Sequence, residues 1–584
     1  MNLTAAFRRI RRALGLAFMC AALIASLPAP AHAASVNHIL RAGLFYGSNA
    51  LATANLANEV GSGYRFGFFD AQRSFVAVGQ TQTEKITICK DANLYYSGGA
   101  YSDSRPSASF QLVGAYHLQT DETYASYDEA LAAAAGYPYG FPAYIDGAYR
   151  VRFEFYSSTE TAAADQAHYA GTSVVGASAS CYTVVKTGSN TILFEYDGGP
   201  GGNYFAVMPD LTGAAGVRTW FKGYCYAGGF QYARRSGADL TVINFVDLDD
   251  YVQGVVPYEM NATWPVETLK AGAVAARTFA EATAKHASYG FDVCNSTCCQ
   301  VYRGVYSGTG ASNVTRAAQE TAGQCLYYNG KLIEALYHSS DGGATEDVGN
   351  AWSSSYPYLT GKEDPYELSI SIPTSSWSYS LSGEELADAV RKWSSSYSGC
   401  ATIVSAEVTE YTALGNANKV VLTDANGRTY TFTKDNARGV FQNYLPNSYF
   451  SRRFIIVAPG QTYNGTGTQP SGTGDFTVTD GKTTVQSGSV YAITASGTEQ
   501  LTGAAASITG SGLVPASGSP GSTGAASSAD FATVTNTSGT KWLIVGKGYG
   551  HNVGMSQYGA YAMGKQGMTY DEILKFYYTG VTIG

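Results

Sequence analysis

The sequence predicts a multidomain α+β protein in which strand outweighs helix. Three observations carry this. The chain has 584 residues, more than one hydrophobic core covers, so about two to four domains are expected. Short apolar runs of strand length, closed by glycine-rich turns, outnumber the stretches with helical spacing. Residues 459–527 then change composition: Gly, Ser, Thr and Ala dominate, and Glu499 is the only charge from Thr483 to Ala529. Such a stretch buries too little apolar surface to offset its ordering entropy, so it reads as a flexible insertion with a short hairpin near Gly488 to Thr494.

Composition narrows the function classes. Charged residues make up 14% and the net charge is -8, which disfavours nucleic acid as a partner. Tyrosine is abundant at 45 residues. Its flat face and polar tip suit stacking on sugar rings as well as strands and core edges.

Residues 1–33 read as a secretory signal peptide. Arg8, Arg9, Arg11 and Arg12 form the charged start, Ala13 to Leu27 the apolar run, and Ala31-His32-Ala33 the cleavage pattern. The run is shorter than the roughly 20 residues a spanning helix needs. No later segment is long and apolar enough to cross a membrane. The mature chain is therefore expected outside the cytoplasm, in a compartment that tolerates disulfides.

Residues 35–110 form a β-rich N-terminal region, with strands at His38 to Tyr46, Tyr64 to Phe69 and Phe75 to Gly79. Residues 111–187 read as strand, helix, strand, strand, helix, strand. Their parts are Gln111 to Thr120, Ser126 to Ala135, Phe141 to Tyr144, Tyr149 to Tyr156, Thr159 to Tyr169 and Cys181 to Lys186. From residue 190 strands return, including Phe230 to Arg235 and Leu240 to Val246.

The chain is organised around Asp250 to Met260. Tyr251, Val252, Val255 and Val256 are suited to pack inside. Pro257 is expected to stop regular structure. Glu259 follows; a carboxyl group on an apolar wall resists ionisation and can serve as a general acid. Pro265 suits a first helical position, with Asn261 or Thr263 as cap. Leu269, Ala273, Ala276 and Ala280 form one apolar stripe of the helix that runs to about Ala282. Lys270 and Arg277 lie on a neighbouring face, where two cations suit an anionic group or an ion pair within the core.

Further on, Ser382 and Glu385 have capping-box spacing before a helix from Gly383 to Trp393. Strands follow at Ile403 to Tyr411, Lys419 to Thr423 and Thr429 to Thr433, then a short helix from Asp435 to Gln442. Thr569 to Glu572 is a second capping box, opening a last helix.

Two resemblances add to this. The order of 111–187, with PAYIDGAYRVRFEFYSS at its centre, resembles the SPOR family, small βαββαβ modules. The resemblance implies binding to glycan strands stripped of stem peptides. Four blocks, in order, resemble the SpoIID/LytB family, stage II sporulation protein D and its relatives. They are Leu248 to Met260 with Trp264-Pro265 and Leu269 to Thr278; Cys298 to Gly304; Tyr337 to Glu346; and Gly546 to Ala560. They assign 190–458 and 528–584 to one β-rich catalytic region, interrupted by the insertion.

That resemblance implies a wall-associated peptidoglycan lytic transglycosylase. It would cleave MurNAc–GlcNAc bonds of peptide-free glycan to 1,6-anhydro-MurNAc ends, in wall remodelling or sporulation engulfment. Glu259 would be acid, then base, and Glu346 is the other acid within the blocks. Lys270, Arg277, His338, Ser339, His551, Ser556, Gln557 and Tyr558 would bind or support substrate. The rival reading is a non-catalytic glycan binder or an enhancer of a partner amidase. Some relatives are thought to hold zinc through mixed Cys and His ligands, which implies a structural zinc at Cys294, Cys298 and Cys299, with His286 or another group as fourth ligand. Cys298 stands where those relatives have His, and two alternatives compete with zinc: a disulfide, with Cys325 as one partner, and free thiols. The chemistry itself needs no cofactor.

Overall fold

The computed structural model describes residues 39–464 and 531–584, apart from residues 374, 375, 447 and 532, together with short hairpins between 476 and 515. The signal-peptide reading and most of the 459–527 insertion lie outside the described residues. The hairpin expected near Gly488 to Thr494 falls at Tyr491–Thr494 paired with Gly497–Gln500.

The chain divides into two units that exchange segments in sequence: residues 1–254 with 284–305, and residues 255–283 with 306–584. This redraws the expected domain boundaries. The N-terminal strand Ile39–Phe45 pairs antiparallel with Leu240–Asp247 and parallel with Val293–Cys294, so residues 39–110 share a sheet with chain expected in the catalytic region.

In the first unit that sheet has seven strands. Ile39–Phe45 and Leu240–Asp247 lie near one side, and Tyr64–Phe69 with Phe75–Thr81 close the other. A second sheet has ten strands. Aromatic side chains from both sheets meet: Phe66 stacks on Phe194 at 5.1 Å between ring centroids.

The expected strand–helix–strand–strand–helix–strand order occurs at Tyr116–Thr120, Tyr127–Ala134, Phe141–Ile145, Ala148–Tyr156, Thr159–Gln166 and Thr172–Val175. Its fourth strand is Thr172–Val175; Cys181–Lys186, expected there, lies elsewhere in the sheet. Nor does the sheet stop at residue 187. Phe141–Ile145 pairs parallel with Ile192–Asp197, which pairs with Cys181–Lys186. A buried ionic group crosses that seam. Glu195 accepts from Arg152 at 2.9 Å, lies 3.2 Å from His117, and accepts from Thr183 at 3.0 Å. A carboxylate buried this deeply requires those partners, so the segment is tied to its neighbours.

The second unit surrounds the helix Val266–Ala282, whose residues Thr268 to Ala280 are buried except Lys270. A three-stranded sheet places Lys541–Lys547 between Trp377–Ser382 and Arg453–Val457. A three-stranded meander, Ile403–Tyr411, Ala417–Asp424 and Thr429–Thr433, packs with helices Gly383–Trp393 and Asn436–Tyr444. The capping boxes at Ser382 and Thr569 both form.

Pro257 does not end regular structure: a helix runs from Leu248 to Glu259 with Pro257 inside. Pro257 cannot donate to the Gln253 carbonyl, and the helix ends two residues later. Pro265 is the N-cap of the next helix rather than its first residue, and no side chain caps it. Asn261 instead accepts from the Thr263 amide at 2.9 Å and turns the loop between the helices.

Gly546 marks a close approach in this unit. A Cβ there would fall 2.1 Å from the Trp377 ring. Gly546→Ala should therefore cost about 1–3 kcal/mol through overpacking. Gly539→Ala, where nothing lies within 4 Å, should change little; urea denaturation of both variants checks the difference.

Candidate active site

Glu259 stands at the C-terminal end of the helix Leu248–Glu259. The alternation of that sequence sets its surroundings. Val255, Val256 and Met260 are buried, while Tyr258 is exposed and Glu259 half-buried. Beneath Glu259 lies a hollow of about 10 Å³ lined by Val255, Val256, Met260, Gly272, Ala276, Tyr337 and Met555. That is room for about one water. Glu259 is the carboxylate among the residues that line it.

Small residues of the next helix make this approach possible. A Cβ on Gly272 would meet the Met260 sulfur at 2.7 Å. The stripe containing Ala273, Ala276 and Ala280 is buried as expected. Helix Ala311–Glu320 and helix Tyr570–Tyr577 both pack on Val266–Ala282.

The third and fourth sequence blocks, about 200 residues apart in the chain, both reach the site. Tyr337 pairs with Met555 and His338 with Ser556 in a short parallel bridge. Ser340 pairs with Tyr549. Ser556 caps the helix Gln557–Lys565 by accepting from the Gly559 amide at 3.1 Å. Gln557, the next residue, donates from Nε2 to Glu259 Oε2 at 3.4 Å. Ser339 accepts the Tyr558 amide at 3.0 Å. Tyr558 packs against Trp264 at 5.1 Å, and Tyr258 against Tyr306 at 5.8 Å, edge to face. Tyr337 and Met555 lie within the third and fourth blocks but carry no expected role there, and Tyr306 lies outside all four blocks.

Other expected site residues lie in the same unit. Lys270 binds Glu267 at 2.8 Å and Glu320 at 2.5 Å, the ion-pair alternative for this residue. Arg277 is 1% exposed and donates to the carbonyls of Gln324 and Ala318. Glu346 is buried, accepting from Thr412 at 2.7 Å and from Asn350 and Asn416 at 2.9 Å each. It fastens a loop.

Both histidines serve the loop around Val553. His338 Nδ1 lies 3.1 Å from the Val553 carbonyl, and His551 Nδ1 accepts from the Val553 amide at 3.1 Å. Their rings are 5.4 Å apart. Burial pushes the His338 imidazole well below its usual range, with His551 adding to the effect. Burial, then the Arg438 charge, lowers His551 from 6.5 to about 3. Two neutral imidazoles result near neutral pH.

In the first unit, His286, Cys294, Cys298 and Cys299 offer ligand atoms that all lie within 4.8 Å of one another. Three sulfurs and one imidazole nitrogen are a donor set suited to tetrahedral zinc. His286, which the sequence left as one option, joins through the turn Ala287–Tyr289 and stacks on Phe291 at 5.1 Å. Among the described residues, Cys294, Cys298 and Cys299 form no disulfide. The second block also meets the first here. Tyr251 donates to Gln300 at 3.1 Å, and Tyr302 donates to Asn244 at 2.8 Å.

The second unit thus holds a site with a half-buried carboxylate, an amide donor upon it and tyrosines at its edge, an arrangement that can give and retrieve a proton at one point. Residues 236–328 match the SpoIID family model, described as stage II sporulation protein, and the chain carries a domain of that family. It is 32% identical over 335 residues to a Bacillus subtilis protein named amidase enhancer, covering 57% of this chain and 40% of that protein. It is 27% identical over 354 residues to stage II sporulation protein D of Bacillus subtilis, covering 58% and 74%. An uncharacterized protein of Brachyspira hyodysenteriae is 29% identical over 347 residues, covering 59% and 68%. Among the described residues, no helix is long and apolar enough to cross a membrane.

The buried His551 makes a pH prediction. Its folded value is depressed, so below the unfolded value of 6.5 the unfolded chain takes up a proton that the fold refuses. Stability should fall as pH drops from 6.5 toward about 3. His551→Gln, which retains an acceptor, should flatten that acid slope in melting temperature against pH.

Proposed function

We propose that this protein is an exported peptidoglycan lytic transglycosylase acting on denuded glycan strands. The observation that carries the reading is Glu259: half-buried over an apolar hollow, in hydrogen-bond reach of Gln557, and the carboxylate among the residues lining that hollow.

One carboxyl group suffices for this reaction. Protonated Glu259 gives its proton to the oxygen leaving C1 of MurNAc, and the C1–O bond breaks. The carboxylate so formed takes the proton of the same sugar's 6-hydroxyl, whose oxygen bonds to C1. The products are a free 4-hydroxyl and a 1,6-anhydro end; no water is consumed. A hydrolase would require a second carboxylate as base or nucleophile. Gln557 orients Glu259, and Tyr258, Tyr306 and Tyr558 offer faces for sugar rings. His338, Ser339, His551 and Ser556 shape the backbone that carries Gln557.

Two parts of the first unit support the same assignment. The βαββαβ segment at 116–175 would bind glycan strands as SPOR modules do. His286, Cys294, Cys298 and Cys299 would hold a structural zinc, which would tie the 286–299 loop and take no part in the reaction.

The name of one relative favours a second reading, a non-catalytic wall protein that enhances a partner amidase. Mass spectrometry of denuded glycan strands incubated with the protein separates the two. The transglycosylase yields 1,6-anhydro-MurNAc ends, and Glu259→Gln or Glu259→Ala abolishes them while glycan is still bound. Reducing MurNAc ends would mean hydrolysis. Bound glycan without products, and a faster amidase in its presence, would establish the enhancer.

For zinc, elemental analysis of the purified chain should find about one ion per molecule. Cys299→Ser should lose it, and chelation should lower the melting temperature. A metal-free chain that melts identically with and without added Zn²⁺ would remove the assignment.

A further inference from the structure

Asp341, Asp364 and Glu367 bring three carboxylates together in the second unit. Their relative exposures are 0%, 0% and 3%, and their oxygens lie within 4.8 Å of one another. Three unneutralised charges at that depth would cost more than a fold can offset. The hydrogen bonds show where the charge resides.

Glu367 Oε1 accepts from the Ser340 hydroxyl at 2.5 Å and the Gly342 amide at 2.8 Å. Its Oε2 accepts from the Ser556 hydroxyl at 2.5 Å and the Asp341 amide at 3.0 Å. All its acceptor sites are used, as an anion requires. Asp364 Oδ1 accepts from the amides of Tyr366 and Glu367, both at 3.0 Å, and Oδ2 accepts from the Tyr577 hydroxyl. Asp341 Oδ1 accepts from the Gly343 amide at 2.7 Å. Its Oδ2, fully buried, meets no donor among the described residues. A proton on Asp341 Oδ2, directed at Asp364, satisfies both aspartates at once. A hard cation fits less well, since it needs about six oxygen ligands and Glu367 has no lone pair to spare.

We propose that Asp341 and Asp364 share one proton, that Glu367 is the anion of the cluster, and that Glu367 is a positioning residue for Glu259, acting through Ser556 and Gln557. The last part rests on the transglycosylase reading. Ser556 donates its hydroxyl to Glu367 and accepts the Gly559 amide with the same oxygen. It thereby fixes the first turn of the helix whose first residue, Gln557, donates to Glu259. Ser340 and Gly342, held by the other oxygen, belong to the facing block. One buried carboxylate therefore sets the spacing of both blocks behind the site.

The electrostatic surroundings agree. Burial, then the charges of Glu367 and Asp364, pushes the Asp341 carboxyl well above its usual range. Burial also raises Glu367, but its four donors oppose the shift. Tyr558 lies near Glu367, and the Arg453 charge bears on both Asp341 and Glu367.

The test joins unfolding to kinetics. The folded state keeps a proton on Asp341 that the unfolded chain releases above the ordinary aspartate value, so the contribution of Asp341 to stability declines with rising pH. Asp341→Asn carries a permanent donor, so its melting temperature should gain on wild type as pH rises above the ordinary aspartate range. Glu367→Gln and Ser556→Ala should each lower kcat about tenfold or more, with little change in KM, and displace the alkaline limb of the pH–rate profile set by Glu259. If Glu367→Gln does not fold, Ser556→Ala alone decides the positioning role. Variants that melt lower but keep wild-type kcat and pH profile overturn that role. An Asp341→Asn protein weaker at every pH, with a wild type stabilised by Ca²⁺ or Mg²⁺ and destabilised by chelator, overturns the shared proton in favour of a cation. A wild type that yields no product removes the role of Glu259, and with it the positioning claim, while the unfolding arm still decides the proton.

Discussion

The parallel bridge between Tyr337–His338 and Met555–Ser556 is the interaction on which the second unit's site depends. It brings together two strands more than 200 residues apart in sequence, so their pairing carries a loop-closure cost that local hydrogen bonds alone would not offset. The surrounding burial supplies what they lack. Val553, Met555, Ala560 and Tyr577 are buried with Val255, Val256 and Met260 in the same unit. The two glycines near the crossing explain its tightness. Gly548 and Gly550 have φ of 79° and 122°, and a Cβ on Gly548 would meet the Ser340 carbonyl at 2.6 Å. Backbone can approach backbone here only without side chains.

From that bridge the chemistry follows. Ser556 begins a helix, Gln557 is its first residue, and the amide reaches Glu259. Several polar groups behind the site are buried but answered. Glu346 and Glu367 each accept several donors, and Asn552 donates to the carbonyls of Asp341 and Ala344 at 2.7 and 3.3 Å. Buried polar groups fully paired in this way rigidify a loop, because breaking any one strands another. The loops therefore form a fixed cradle while Glu259 and its neighbouring tyrosines keep partial access to solvent.

The first unit answers to a different constraint. Its sheets are wide, and the βαββαβ segment is continuous with ten strands rather than a separate module. The Arg152–Glu195–His117 group explains why. A cation on one strand and a carboxylate two strands away, both buried, are costly apart and acceptable together. A pattern of apolar alternation cannot reveal such pairing, because it reports which face is buried and not which strand lies alongside.

Much was written in the sequence. The strands Tyr64–Phe69, Ile403–Tyr411 and Thr429–Thr433 and the helix Gly383–Trp393 follow from two-residue and helical periodicity with local capping, and their bounds hold as read. Glu259 stood out because one carboxylate followed an apolar run. The four blocks marked the chain segments that the fold would assemble. The tertiary structure decided what periodicity cannot reach. It turned Lys270 to Glu267 and Glu320, buried Arg277 on backbone carbonyls, and brought His286 to three cysteines. It also gathered Asp341, Asp364 and Glu367 into one buried cluster. The reason is the same in each case: sequence patterns record a residue's own preference for water or core, whereas a charge's role depends on the partner that folding places beside it.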